Sequence, residues 1–325
     1  MAEKKVLITG TMGCIGAWVL RHLIDDGTPL VAADLSDDRA RPRLLMSEDE
    51  LDALTWVRLD VTDTDATRRV VADHGVTHII HLAGLQIPFC RANPPLGAAV
   101  NVLGTVNIFE AARHEGVKGL AYASSLAALS PVSHYSEFPL ADSVSRTPAT
   151  LYGVYKVANE ETARIYHQDW GISSVGLRPY TVYGVGRDQG VTADVAKAIL
   201  AAAAGQPFHM RFSGPTALQH ASDVARIFIA CAEAELDGAP ALNLRGDVMD
   251  MADIAALINK TVPGAETTVA ADAPLPLPAD LDDAGLRGLI GDIPHMPMVS
   301  AIEGDVAAYR ALMAKGLIDM TQLER

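Results

Sequence analysis

Apolar positions in the first half of the chain follow two alternating rhythms. Short runs rich in β-branched residues, at 5–9, 30–34, 56–59, 77–81, 119–124 and 173–178, read as buried strands. Between them, at 14–26, 63–74, 94–115 and 148–168, apolar residues recur at three- and four-residue spacing, which predicts helices. Gly27, Gly75 and Gly116 close the first three of these, as residues just past a helix end commonly do. Strands alternating with helices of this length predict right-handed βαβ units and a parallel sheet.

After Tyr183 the rhythm changes. Residues 184–190 are glycine-rich and charged, which suits a functional loop better than a linker. Helices are expected at 192–203, 222–234, 250–259 and 302–314, with a proline-rich connection at 273–278. This implies a main domain over 1–183 and a small, mainly helical substrate lobe over 184–325, with a strand and a helix returning to the main sheet. No internal repeat is visible.

Apolar residues make up 49% of the 325 positions and charged residues 20%, which suits an enzyme-sized core. The net charge of −14 argues against nucleic acid and anionic membrane as partners. A local arginine or a helix N-terminus can still hold an anion. Cys14, Cys90 and Cys231 lack the spacing of a disulfide scaffold or metal site, so neither is expected. The start, Met1-Ala2-Glu3-Lys4-Lys5, enters an apolar run too short for a secretory leader. The alanine run at 201–204 stops at Gly205, far short of a membrane span. A reducing cytoplasm is the simplest expected location.

The first strand runs into Thr9-Gly10-Thr11-Met12-Gly13-Cys14-Ile15-Gly16, which opens the first helix. Here Gly10 would permit a tight turn, Gly13 would let backbone amides approach a pyrophosphate, and Gly16 would let helix pack on strand. The helix N-terminus adds partial positive charge for the phosphates. The competing explanation is a strand-to-helix turn with no ligand. Asp34 ends the second strand, where a carboxylate accepts from the adenosine ribose hydroxyls and repels the extra phosphate of NADP. That favours NAD, although Arg39 and Arg41 lie close enough in sequence to meet a phosphate. Asp60-Val61 follows the third strand. Its carboxylate suits the adenine amino group, with the Val61 amide donating to the ring. It equally suits a helix N-cap.

Tyr152 and Lys156 lie four apart in a helical stretch and share one face. A free phenol titrates near ~10, too high for a base at neutral pH. A neighbouring ammonium and an oxidised nicotinamide are expected to lower it, so that Tyr152 can exchange a proton with a substrate hydroxyl. Lys156 can also hold the nicotinamide ribose. Ser125, at the end of the fifth strand, can orient the substrate oxygen. Such a pair is common on amphipathic helices. Its place after the Ser124-Ser125 strand end, downstream of the glycine turn, is what points to chemistry. Tyr155 competes in composition but faces elsewhere.

Taken together, these residues resemble the extended short-chain dehydrogenases, also called the NAD-dependent epimerase/dehydratase family. The carriers are Gly10-x-x-Gly13-x-x-Gly16, Asp34, Asp60-Val61, His81-Leu82-Ala83-Gly84, Asn101-x-x-Gly104-Thr105, Ser124-Ser125, Tyr152-x-x-x-Lys156 and the run from Arg178-Pro179 to Gly184. The resemblance covers about residues 4 to 235. It implies a Rossmann-type doubly wound α/β sheet and an NAD cofactor, with Ser125, Tyr152 and Lys156 as catalytic group. By the same resemblance Leu82, Ala83 and Gly84 border the pyrophosphate and Ala123 the cofactor. The Pro179–Thr181–Val182 backbone lies against the nicotinamide. Asn101 supports the site from its helix, or serves as a buried amide bonding backbone.

Departures narrow the activity. Leu126-Ala127 stand where dehydratases carry Asp-Glu, which argues against dehydration. Thr181 replaces a frequent Asn, and Thr216 to His220 lacks the Arg-Asp-Tyr-like run of nucleotide-sugar enzymes. The expectation is an NAD-dependent dehydrogenase of a small hydroxylated substrate: a sugar, sugar acid or hydroxy acid. Its alternatives are an NAD-retaining sugar epimerase and a non-catalytic dinucleotide sensor. Gln86, Arg91, Arg187, Thr192 and His220 are the substrate-side candidates, with Arg91 and Arg187 suited to a carboxylate. The helices at 94–115 and 148–168 suggest a two-fold homodimer interface.

Overall fold

The computed structural model describes residues 4–324; residues 1–3 and Arg325, which the two expected lobes and the N-terminal reading include, lie outside the described residues. The strands are β1 (Val6–Thr9), β2 (Leu30–Asp34), β3 (Thr55–Arg58), β4 (His78–His81), β5 (Gly119–Ala123), β6 (Val175–Arg178), β7 (Thr181–Tyr183), β8 (Phe208–Met210), β9 (Pro215–His220), β10 (Ala241–Asn243), β11 (Asp247–Asp250) and β12 (Thr267–Val269). A seven-stranded sheet runs β10-β6-β5-β4-β1-β2-β3, every neighbouring pair parallel. The chain moves outward from β1 to β3, then returns beside β1 to lay down β4, β5 and β6. That reversal leaves a crevice at the carboxyl ends of β1 and β4, where such sheets take their ligands.

The helices are α1 (Cys14–Asp25), α2 (Glu48–Asp52), α3 (Thr64–Asp73), α4 (Ile87–Ala92), α5 (Pro94–Ala98), α6 (Gly104–Glu115), α7 (Leu151–Trp170), α8 (Asp194–Ala204), α9 (Ala221–Glu233), α10 (Met251–Thr261), α11 (Ala284–Ile290) and α12 (Met298–Ala314). Strand residues alternate between the two sheet faces. Val6 and Ile8 pack with Val19, Leu20 and Leu23 of α1 and with Val224 and Phe228 of α9. Leu7 points the other way, among Val71 of α3, Ile108, Phe109 and Ala112 of α6, and Ala163 and Tyr166 of α7. Both faces are therefore covered, and the continuous apolar runs of the short strands have their cause.

The second half is mainly helical, with short strands added. β10 and α9 join the central sheet, and α8, α10 and α12 enclose a separate apolar core. Two small sheets accompany them, β11-β9-β7 and β12-β8. Most of their strands have three residues, too few to show a period of two. The helix expected over 94–115 is also interrupted. A π-helical turn at Ala99–Leu103 separates α5 from α6 and carries Asn101. Such turns recur at functional sites.

Candidate active site

β1 delivers the chain into Gly10, whose φ of 78° favours glycine. A Cβ there would also stand 2.7 Å from the Ala83 nitrogen, and one on Gly16 would stand 2.2 Å from the Gly10 oxygen. Helix, turn and the end of β4 thus touch backbone to backbone. Gly13 is the N-cap of α1 and brings no capping side chain. The Thr11 hydroxyl bonds the Ala33 oxygen, and the Met12 amide donates to Asp34 Oδ2 at 2.9 Å. The Ser36 amide takes the other Asp34 oxygen at 3.0 Å, so the half-buried carboxylate is fixed beside the turn rather than loose in solvent. Cys14 and Ile15 pack against the core under α1.

The two nearby arginines are committed elsewhere. Arg39 pairs with Asp52 and lies over the Trp56 ring. Arg41 donates to the Met12 oxygen and to both Asp188 oxygens. Asp60 is not a helix cap: its carboxylate holds the Thr62 amide and hydroxyl, and Asp63 caps α3 through the Ala66 amide. Val61 is buried and its oxygen accepts from Asn107. Along β4 the Leu82 amide donates to the Thr9 oxygen, and the Ala83 amide to the Thr9 hydroxyl.

Ser125 leaves the end of β5 and its hydroxyl accepts from the Ala127 amide at 3.1 Å. α7 comes down directly on this segment. Its N-cap Thr150 accepts from the Gly153 amide, and a Cβ on Gly153 would stand 2.1 Å from the Ala127 oxygen. The glycine therefore sets how closely Tyr152 approaches Ser125, whose side chain acts on the Tyr152 phenol. One turn on, Lys156 is buried, lies 5.4 Å from the Tyr152 ring centre, and donates to the Ala123 oxygen at 2.7 Å. Tyr155 faces away, its hydroxyl on the Pro94 oxygen.

The charge balance differs from the expected one. Burial pushes the Tyr152 phenol above its ordinary value, opposed by the Ser125 side chain and the Arg187 guanidinium, not by Lys156. Burial lowers Lys156 itself to about 8. Desolvation works against both charged forms.

Asn101 divides its bonds. Its amide nitrogen donates to the Gly97 and Leu85 oxygens and to Cys90 Sγ. Its Oδ1 is buried without a partner. A Cβ on Gly84 would stand 2.8 Å from that oxygen and 3.6 Å from Lys156 Nζ, so both groups face one gap beside Gly84. The Pro179 oxygen accepts from the Leu126 amide, Thr181 bonds the Thr216 hydroxyl, and Val182 is buried in the core.

Of the substrate-side candidates, three come together. Arg187 Nη2 donates to the Thr192 hydroxyl at 3.0 Å. An atom added to Gly190 would stand 3.8 Å from Gln86 Oε1 and 3.9 Å from Arg187 Nη2. Arg91 is exposed on α4. His220 is not in this group. It caps α9 through the Ser222 amide, meets Asp305, and packs against Trp18 and Tyr183.

The model of the NAD dependent epimerase/dehydratase family matches residues 6–244. The chain belongs to this family. It is 33% identical over 204 residues to UDP-glucose 4-epimerase of Mycolicibacterium smegmatis, a match covering 61% of this chain and 63% of that one. The chain thus spans less than two thirds of that relative's length. It is likewise 33% identical over 188 residues, 54% of this chain, to NAD-dependent glucose-6-phosphate dehydrogenase of Haloferax volcanii, covering 68% of it. L-threonine dehydrogenase of Clostridium difficile shares the fold with a TM-score of 0.83 at 21% identity, covering 98% of this chain and 100% of that one. UDP-glucose 4-epimerase of Thermotoga maritima does so with a TM-score of 0.81 at 20% identity, covering 95% and 99%.

For a member of the epimerase/dehydratase family, two features escaped the sequence reading. Glu160, one turn beyond Lys156 on α7, is buried and accepts from Ser124. It pairs with Arg178 at 2.8 Å and with Arg146. Arg178 also donates to Asn243 Oδ1, so the arginine that opens the Pro179 motif ties β6, α7 and β10 beneath the site. The i,i+4 spacing of Lys156 and Glu160 was the available sign. Cys90 is the other feature, buried between Leu85 and Asn101.

Proposed function

We propose that this protein is an NAD-dependent oxidoreductase that moves a hydride between the nicotinamide and a small hydroxylated substrate. The observation that carries the reading is Tyr152 packed against the Ser125–Ala127 segment through Gly153, with buried Lys156 5.4 Å from its ring centre, at the carboxyl end of β5. The residues suit the dinucleotide on three counts. The α1 N-terminus has no side-chain cap, Asp34 is already oriented, and the Asn101 oxygen waits beside Gly84 without a partner. Gly10 to Gly16, Leu82, Ala83, Asp60 and Val61 would hold its adenosine and phosphates, and Lys156, Ala123 and the backbone from Pro179 to Val182 its nicotinamide end. Asp34, with Arg39 and Arg41 both engaged, favours NAD over NADP.

When bound, the nicotinamide supplies hydride transfer. Ser125 orients the substrate oxygen. Tyr152 takes the hydroxyl proton on oxidation and returns it on reduction. The Ser125 side chain and the Arg187 guanidinium favour the phenolate that burial disfavours. Gln86, Arg187 and Thr192 form the substrate side.

The test is a screen of sugars, aldonates, uronates and hydroxy amino acids with NAD and NADP, reading absorbance of the reduced cofactor. Tyr152→Phe is expected to keep NAD binding and lose about 10²–10⁴-fold in turnover. A Phe variant with native turnover would sink the reading. The similarity to UDP-glucose 4-epimerase favours a second reading, epimerisation with NAD retained. An optical change with no net NADH would select it.

Ile87, Phe89, Leu96, Leu103, Leu151 and Val154 are large apolar residues exposed along α4, α5, the π turn and α7. They support a homodimer formed by these helices. Three free cysteines suit a cytoplasmic location, and among the described residues no helix is long and apolar enough to cross a membrane.

A further inference from the structure

The glycine-rich loop at 184–190 carries an incompletely bonded cation. Arg187 Nη2 and Gln86 Oε1 both border Gly190, and the Arg187 charge lowers the Tyr152 phenol and the Cys14 thiol. One hydrogen bond holds the guanidinium, from Nη2 to Thr192. Its Nε is buried with no acceptor. The neighbouring carboxylate is turned away, since Asp188 is held by both ends of the Arg41 fork. A buried N–H without an acceptor costs about 1–3 kcal/mol, more on a charged group. An occupant that supplies two acceptor oxygens removes that cost.

We infer that the substrate carries a carboxylate next to its reacting carbinol, and that Arg187 holds it. This rests on the oxidoreductase reading and adds the substrate's charge. The charge balance points the same way. Lys156 and Arg187 are both cations near Tyr152, and an oxidised nicotinamide adds a third positive charge. Glu160 and Asp188 are already paired with Arg178, Arg146 and Arg41. His81 beneath the site is held neutral by burial, far below its ordinary value, and offers no compensation. In a chain of net charge −14 these two cations keep no ion-paired carboxylate among the described residues, and an anionic substrate balances them. Gln86 Oε1 borders the same gap beside Gly190 and suits a further hydroxyl of the substrate. The class is a short 2-hydroxy acid, such as an aldonate.

Two measurements test this. In the first, hydroxy acids are compared with their primary amides and with phosphorylated sugars as NAD substrates. The native protein is expected to favour acid over amide by about 10²-fold or more in kcat/KM. That preference should collapse in Arg187→Gln and return in part in Arg187→Lys. Equal use of acid and amide, or preference for the phosphate monoester, would overturn the assignment. In the second, calorimetry follows malonate, which has no carbinol to oxidise, binding to the NAD-loaded protein. Binding to native protein and its loss in a folded Arg187→Gln, checked by thermal melting, supports the clamp. No malonate binding to native protein refutes it. Absence of NADH with every compound, alongside Arg187-dependent malonate binding, would instead overturn the oxidoreductase reading and leave the anion site standing.

Discussion

Lys156 Nζ donates to the carbonyl oxygen of Ala123 across 2.7 Å, which moors helix α7 to the end of strand β5 in the seven-stranded sheet. Burial holds its ammonium at about 8. Below that value the charge is present; above it the proton leaves, and with it the positive charge 5.4 Å from the Tyr152 ring centre. The basic limb of the kcat/KM–pH profile is therefore expected to turn down near 8. Lys156→Met should lose at least about 10²-fold in kcat/KM and flatten that limb. A variant with an unchanged profile would assign the limb to another group.

Asp34 has two tasks, as a bracket for the Met12 amide and as the proposed ribose acceptor. Asp34→Ala is expected to raise the KM for NAD about tenfold, the scale of one charged hydrogen bond, and to narrow the preference over NADP. Steady-state kinetics with both cofactors check this. A loss that falls equally on NAD and NADP would mean that Asp34 only shapes the turn.

Gly153 has no room for a methyl group, because a Cβ would lie 2.1 Å from the Ala127 oxygen. Gly153→Ala must push α7 away from the 125–127 segment. The expected cost is about 1–3 kcal/mol in unfolding free energy, together with a larger fall in kcat than in NAD affinity, since Tyr152 moves relative to Ser125. Chemical denaturation and calorimetric titration separate the two.

His81 lies between Thr9 and Thr105 and is held neutral, its titration lowered by burial to about 3. The unfolded chain titrates this residue near its ordinary ~6.5. As pH falls through that range the unfolded state takes up a proton that the folded state refuses, so stability declines from near 6.5 downward. The expected loss is about 2 kcal/mol between pH 7 and pH 5 from this residue alone. His81→Gln lowers stability at pH 7 through its altered hydrogen bonds and should show a shallower decline toward pH 5 in urea titrations. An equal slope would remove His81 as the source.

The central sheet was legible because its information is local. β-Branched runs, glycine closures and the turn at Gly10 each announce themselves within a few residues. The Ser125, Tyr152 and Lys156 group was legible through order and spacing along the chain. What escaped was pairing at a distance. The three-residue strands β7, β8, β10 and β12 have no rhythm of their own and exist because a remote partner completes them. The Glu160–Arg178 pair depends on β6 passing beneath α7, and the Arg41–Asp188 pair joins residues 147 positions apart. The expected acidity of Tyr152 failed for a related reason. Spacing shows that Lys156 is near, and only coordinates show that burial outweighs it.

The oxygen of Val185 accepts from the Trp18 indole at 3.0 Å and from Cys14 Sγ, both on the helix that begins at the glycine turn. Two residues farther along the same strap lies Arg187. Whatever stiffens the turn also stiffens the strap, so the dinucleotide and the second reactant report to one another through a shared hinge. Such linkage works equally in both directions. Each should tighten the other's hold, so the dinucleotide should bind more strongly with malonate present than alone, by the same factor that it strengthens malonate.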